Sequence, residues 1–318
     1  MAKPKIAFYG CASCGGCDEA VVDLAEELLD VAAAADIVLW PTAFDFKCPD
    51  VEALPDQSLA AAFINGAIRT REDEDWVRLL RRKSQRVVAC GACAQYGGVP
   101  GLANQFSREH LMKRVFDEVP SLVNPMGTRP RPHDHGLDLP ALHDGVRSLD
   151  QVVRVDYFVP GCAPPTPLLA RAMRALLAGT LPPPPAVLAP DVALCDECPR
   201  KASKPAELSF ASFKRPSLAE IDGELCLLAQ GFLCMGPATR AACGAACIRC
   251  NMPCTGCGGA TSRVRDQGAK MLSSLASSVA ASDQPGIDAI LQGIPDPVGT
   301  LYRYSLARSL LRRRFGVA

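Results

Sequence analysis

The first half of the chain alternates short apolar runs with longer helix-like stretches. "KIAFYG" (5–10), "DIVLW" (36–40), "LAAAFINGAI" (59–68), "RVVAC" (86–90) and "VVRVDYFVP" (152–160) read as strands. Between them, "DEAVVDLAEELLDVAAAA" (18–35) has helical composition, with Val21, Val22, Leu24, Ala25, Leu28 and Leu29 broadly on one side. "EDEDWVRLLRRK" (72–83) reads as a charged helix. "PTPLLARAMRALLAG" (165–179) reads as another, with Gly179 as its stop. Strands alternating with helices predict an α/β domain, a mostly parallel sheet covered on both faces.

The pattern changes at "LPPPPAVLAP" (181–190), whose prolines cannot continue a helix and favour a stiff extended linker. We place a boundary there. Three segments are expected: 1–181, the α/β domain; 191–261, a loop-rich domain with many glycines and little periodicity; and 262–318, a tail that is helical in pieces. A segment as irregular as 195–257 could hardly build an apolar core alone, and metal clusters would supply the missing cross-links.

Composition sharpens this picture through one residue type. The chain has 318 residues, zero formal net charge and 16 cysteines. With no basic excess, a nucleic-acid partner is not expected. No run of apolar residues is long enough to span a membrane. The N-terminus "MAKPKIAFYG" shows neither a secretory signal nor a twin-arginine signal, so a cytoplasmic location is expected. Cysteine abundance in that setting points to metal or redox chemistry rather than to disulfides.

The cysteines fall in groups. "CGGC" supplies Cys14 and Cys17 just after the first strand, with glycines that let the backbone fold tightly. "VVACGACAQYGGVPG" supplies Cys90 and Cys93 at the end of another strand, and "YFVPGCAPP" supplies Cys162 at a third. Ligands of open α/β sheets gather at the carboxyl ends of strands, so these three ends suggest one four-thiolate site. Zinc fits four thiolates. Glycines flanking every candidate favour a bulkier iron–sulfur guest, whose sulfurs backbone N–H groups can approach. Residues 195–257 hold nine further cysteines, eight of which would make two more such sites. Three clusters in series would carry electrons through the protein.

Five ordered motifs carry a more specific likeness: "CGGCDEA", "GACAQYGGVPG", "VDYFVPGCAPP", "CDECPRK" and "GFLCMGPATRAACG…CNMPCTGCGG". The sequence resembles the small subunit of [NiFe] hydrogenases over nearly its whole length, most closely the soluble methyl-viologen-reducing type associated with heterodisulfide reductase. The resemblance implies a flavodoxin-like first domain whose proximal cluster faces the nickel–iron centre of a separate large subunit. By motif position it implies Cys14, Cys17, Cys93 and Cys162 as proximal ligands. It implies Cys195, Cys198, Cys226 and Cys234 for a distal cluster, and Cys243, Cys247, Cys254 and Cys257 for a medial one. Membrane-bound relatives carry a histidine at the first distal position and a proline in place of one medial cysteine. Cysteine stands at both places here, so three [4Fe–4S] clusters are expected. The function implied is electron relay between the large subunit and an iron–sulfur or flavin-containing acceptor, with no catalytic residue in this chain.

One medial place is contested. "CGAAC" between Cys243 and Cys247 is compact and leaves room for a cube, whereas Cys250 sits beside Arg249 and Asn251, which suggests an outward-facing site. Only "NMP" separates Cys250 from Cys254, and Pro253 restricts Met252 to extended geometry. The fourth medial place is therefore assigned to Cys247. Cys11, Cys48, Cys90 and Cys250 are read as bystanders, since free cysteine packs as a small hydrophobe. Ser13 and Gly15 stand around the first C-x-x-C, and Asn65 stands where many relatives have glutamate. A proton route through this subunit is therefore not expected. "RPHDHG" (131–136) and His143 read as a solvated loop rather than a metal site. Arg308, Arg312, Arg313 and Arg314 are expected to cap a C-terminal helix. "GGVPG" lacks the Lys and Ser/Thr of a phosphate loop. Two other functions fit parts of the pattern: a single-cluster relative from respiratory or energy-converting complexes, and a zinc-stabilised scaffold.

Overall fold

The computed structural model describes residues 3–311 except Phe46, Pro132 and His135, with His133 and Asp134 described by their backbone alone. Six apolar segments form one parallel sheet: β1 (Lys5–Gly10), β2 (Asp36–Leu39), β3 (Leu59–Asn65), β4 (Val87–Cys90), β5 (Tyr157–Val159) and β6 (Ala186–Val187). Their spatial order is β6-β5-β4-β3-β1-β2. This is the flavodoxin-like order, which reverses direction between β1 and β3.

Both faces of the sheet are covered, as parallel strands require. On one face, Phe8 and Val159 pack with Val21, Leu24, Leu168 and Met173 from α1 (Gly16–Val22), its following turn and α5 (Thr166–Leu177). On the other, Ala7 and Ile64 pack with Val77 and Leu80 from α3 (Arg71–Lys83). Each fully buried leucine contributes on the order of 2 kcal/mol. A capping box fixes the start of α3: Asp73 N–H donates to Thr70 Oγ1 at 3.0 Å, and Thr70 N–H donates to Asp73 Oδ2 at 2.7 Å.

The helix expected over 18–35 is two helices, α1 and α2 (Glu26–Ala34), broken where Ala25 adopts φ 51°. The break leaves Leu24 buried in the core. The strand expected over 59–68 ends at Asn65. Gly66 turns there with φ 80°, and a Cβ on it would lie 2.8 Å from the Cys11 carbonyl carbon. The strand expected over 152–160 shrinks to Tyr157–Val159, because Val152 and Val153 N–H groups bond the Leu149 carbonyl in a turn instead of a ladder. The proline stretch also holds more than a connection. Ala186 and Val187 pair in parallel with Tyr157 and Phe158 and add the edge strand.

The remainder has little regular structure before the helices α7 (Gln267–Ala276), α8 (Gln284–Leu291) and α9 (Pro297–Leu301). Each of these three is capped by an aspartate: Asp266, Asp283 and Asp296. Phe210, Phe213, Leu227 and Phe232 share a core with Met271, Leu275, Ile290 and Tyr302, so the irregular segment and the helical tail bury one another. Among the described residues no helix is long and apolar enough to cross a membrane.

Candidate iron–sulfur sites

Strand register brings the first cysteines together. Gly10, Asn65, Cys90 and Val159 are partners across four neighbouring strands at the carboxyl edge of the sheet. Cys14 and Cys17 follow Gly10, Cys93 follows Cys90, and Cys162 follows Val159. All four thiols therefore emerge beside the topological switch point. Cys17 lies in the first turn of α1, Cys93 lies in α4 (Gly91–Tyr96), and Cys14 and Cys162 are exposed. Burial pushes the Cys93 thiol up to about 12, and the charges of Cys162, Cys17 and Cys14 add to it. Burial also raises Cys162, with Cys17 and Cys14 contributing. Thiols that repel one another as thiolates need a cationic guest to be held ionised.

Glycines leave the sulfurs room. A Cβ on Gly91 would lie 2.4 Å from Cys17 Sγ, and one on Gly98 would lie 2.3 Å from Cys93 Sγ; both residues have positive φ. Any larger residue would fill the cradle.

The second half builds two further sets. Burial raises Cys195 to about 12; Lys204 opposes this, and Cys234, Cys198 and Cys226 add to it. Burial likewise raises Cys234, with Gly236 and Cys254 N–H groups acting against it and Cys226 and Cys198 adding to it. A Cβ on Gly236 would lie 3.3 Å from Cys195 Sγ. The last set surrounds a small, mostly apolar cavity whose walls include Cys243, Cys247, Cys254 and Cys257. Burial raises Cys257 to about 11, and neighbours Cys243, Cys162 and Cys247 feel its charge.

Backbone contacts join the sets in series. The Cys162 backbone lies beside the Cys257 thiol and acts to lower it, which brings the first set against the last. Cys254 N–H donates to Cys234 Sγ at 3.3 Å, linking the last to the second. The Cys243–Cys257 set thus stands between the other two. Among the described residues no three Cys, His, Asp or Glu side chains converge as a single metal ion needs. A cube takes each thiolate on a different iron, so its ligands stand farther apart than the four around one zinc.

The other thiols have local roles. Cys90 is 3% exposed and hydrogen-bonded to Cys17, whose thiol is raised first by that contact and then by burial. Cys11 packs against the core, and Cys48 contacts Glu52 at 3.7 Å. Cys250 ends α6 (Ala246–Arg249) and is exposed, as is Cys247.

Asp18 is a site residue that the sequence did not single out. Only 5% exposed, it accepts from Trp40 Nε1 at 3.0 Å and from Asn65 Nδ2 at 2.9 Å. Its place next to Cys17 is visible in "CGGCDEA", but its contact with Asn65 depends on strand register. Arg308 caps no C-terminal helix; it donates instead to the Gln95 carbonyl at 3.2 Å, in the last turn of α4. It pairs with Asp150 at 2.9 Å and lies 5.5 Å over the Tyr96 ring, clasping the tail to the first half. Arg312, Arg313 and Arg314 lie outside the described residues, as do Pro132 and His135 of the histidine-bearing loop. His143 Nε2 lies 3.1 Å from Glu74, itself paired with Arg78 and Arg147.

The family described as NADH ubiquinone oxidoreductase, 20 Kd subunit, matches residues 14–176. The chain is 39% identical over 317 residues to the iron-sulfur subunit of the F420-non-reducing hydrogenase of Archaeoglobus profundus, covering 98% of each protein. It is 34% identical over 317 residues to the like-named F420-non-reducing hydrogenase subunit of Methanothermobacter thermautotrophicus, covering 97% of this chain and 96% of that one. Among solved structures, a chain of the NAD+-reducing [NiFe]-hydrogenase in the H2-reduced state aligns with a TM-score of 0.51 and 31% identity, over 57% of this chain and 94% of that one. The chain belongs to the small, electron-transfer subunits of [NiFe] hydrogenases of the methyl-viologen-reducing type, iron–sulfur proteins that work with a separate large subunit.

Proposed function

We propose that this subunit carries three [4Fe–4S] clusters and relays electrons from the large subunit to an iron–sulfur or flavin-containing acceptor. Cys14, Cys17, Cys93 and Cys162 would hold the proximal cluster. Cys243, Cys247, Cys254 and Cys257 would hold the medial one, and Cys195, Cys198, Cys226 and Cys234 the distal one. The clusters supply one-electron chemistry; the chain fixes their order and spacing. The observation that carries this reading is the serial approach of the thiol sets: Cys162 of the first lies beside Cys257 of the last, and Cys254 N–H of the last donates to Cys234 Sγ of the second.

The exposed Cys14 and Cys162 place the proximal set at a surface the large subunit would cover, through the loops 11–18, 91–101 and 160–165. An obligate interface of this kind buries more than roughly 2,000 Å² in total. All sixteen cysteines are free thiols, which suits a reducing, cytoplasmic setting.

The test uses the complex with its large subunit, purified without oxygen. It should be brown, and its visible absorption should bleach under hydrogen. A colourless complex containing zinc would overturn the electron-relay reading. The contested medial place has its own test. Cys247→Ser should convert the medial cluster toward a [3Fe–4S] form, seen by electron paramagnetic resonance in the oxidised protein. Cys250→Ser should leave the spectrum unchanged, in keeping with the cavity walls, which include Cys247. The opposite pair of results would exchange the two residues.

A further inference from the structure

We propose that Asp18 is a fixed negative charge that holds the potential of the proximal cluster down, with Trp40 and Asn65 fixing its position beside Cys17. The proposal rests on the proximal site as read above.

A carboxylate this buried needs partners. Asp18 Oδ1 accepts from the Trp40 indole N–H, and Oδ2 accepts from the Asn65 amide. An indole N–H only donates, so Oδ1 is an acceptor and carries no proton toward it. Asn65 presents its Nδ2, not its oxygen, to Oδ2. Asn65 Oδ1 has no hydrogen-bond partner among the described residues, so within the protein the amide's bonding goes to the carboxylate. Among the described residues no Lys, Arg or His lies within ion-pair distance of Asp18. Its charge is therefore stabilised by dipoles and not cancelled.

Geometry directs that charge at the cluster site. Asp18 follows Cys17 in the first turn of α1, and its charge acts on the Cys17 sulfur. The strand end closes over it: a Cβ on Gly10 would lie 3.3 Å from Asn65 Oδ1 and 3.4 Å from Asp18 Oδ2. In this water-poor setting a nearby negative charge disfavours adding an electron.

The experiment is a redox titration of the proximal cluster in the whole complex, read by electron paramagnetic resonance. Asp18→Asn should shift its reduction equilibrium about tenfold toward the reduced form, a rise of ~59 mV for one electron. Asp18→Ser, smaller and equally neutral, carries the same expectation. Asp18→Glu should return the potential close to its native value, and the other two clusters should not move. Trp40→Phe leaves the charge in place and should not raise the potential. An intact proximal signal with an unchanged potential in both neutral variants would overturn the proposal. A rise in Trp40→Phe equal to that in Asp18→Asn would also overturn it, because packing would then be the cause. Absence of a proximal signal from the native complex would instead reject the proximal site itself.

Discussion

Cys93→Ser is expected to abolish the proximal cluster and, with it, all hydrogen-dependent electron transfer, while Cys90→Ser keeps both. The two thiols belong to one strand–turn–helix unit, yet their surroundings differ. Cys90 is the last residue of β4, is 3% exposed, and spends its polar contact on Cys17. Serine there keeps a small hydrogen-bonding side chain and should cost about 1 kcal/mol of stability. Cys93 sits a helical turn further on, where the charges of Cys162, Cys17 and Cys14 meet it and Gly98 leaves space for nothing else. A serine hydroxyl ionises far less readily than a thiol, and at Cys93, more buried than the exposed Cys247, it is not expected to hold iron. Electron paramagnetic resonance should show the medial and distal signals surviving without the proximal one. Loss of the proximal signal in Cys90→Ser and its retention in Cys93→Ser would mean that the register of the site is wrong.

Gly259→Ala should destabilise the protein by about 3 kcal/mol, the sum of overpacking and left-handed backbone strain. Gly259 has φ 69°, and a Cβ there would lie 1.9 Å from a ring carbon of Tyr96. The ring has little room to retreat, because the Arg308 guanidinium lies 5.5 Å over it and is itself anchored to Asp150. Tyr96 belongs to the sheet domain and Gly259 follows the "CTGC" segment, so the clash falls where the two halves meet. Gly223, with nothing within 4 Å of a built Cβ, is the control, and alanine there should stay within about 0.5 kcal/mol. Denaturant midpoints of the two variants measure the difference. Equal midpoints would show that Tyr96 moves aside freely.

Much of this arrangement was legible in the chain because its signals are local. Apolar runs bounded by charged helices marked β1 to β4, and glycines beside cysteines marked the strand ends where four thiols come together. The misses share a different cause. No glycine or proline announces the break at Ala25, which is set by how Leu24 reaches the core. The edge strand Ala186–Val187 is too short to stand out and exists only because β5 offers it a ladder. Asp18 opens a stretch with other acidic residues and carries no distinguishing local signal; its partners Asn65 and Trp40 lie far along the sequence. Arg308 similarly finds its partners across the molecule, on Asp150 and Tyr96. Long-range pairing of polar groups leaves no periodic trace in a single sequence.

Metal analysis of the two-subunit complex, purified without oxygen, tests the central claim most directly. Three sets of four thiolates predict about twelve irons and about twelve sulfides in this subunit, beyond the iron of the large subunit's nickel–iron centre. A result near four of each would leave one cluster and contradict the three-cluster relay.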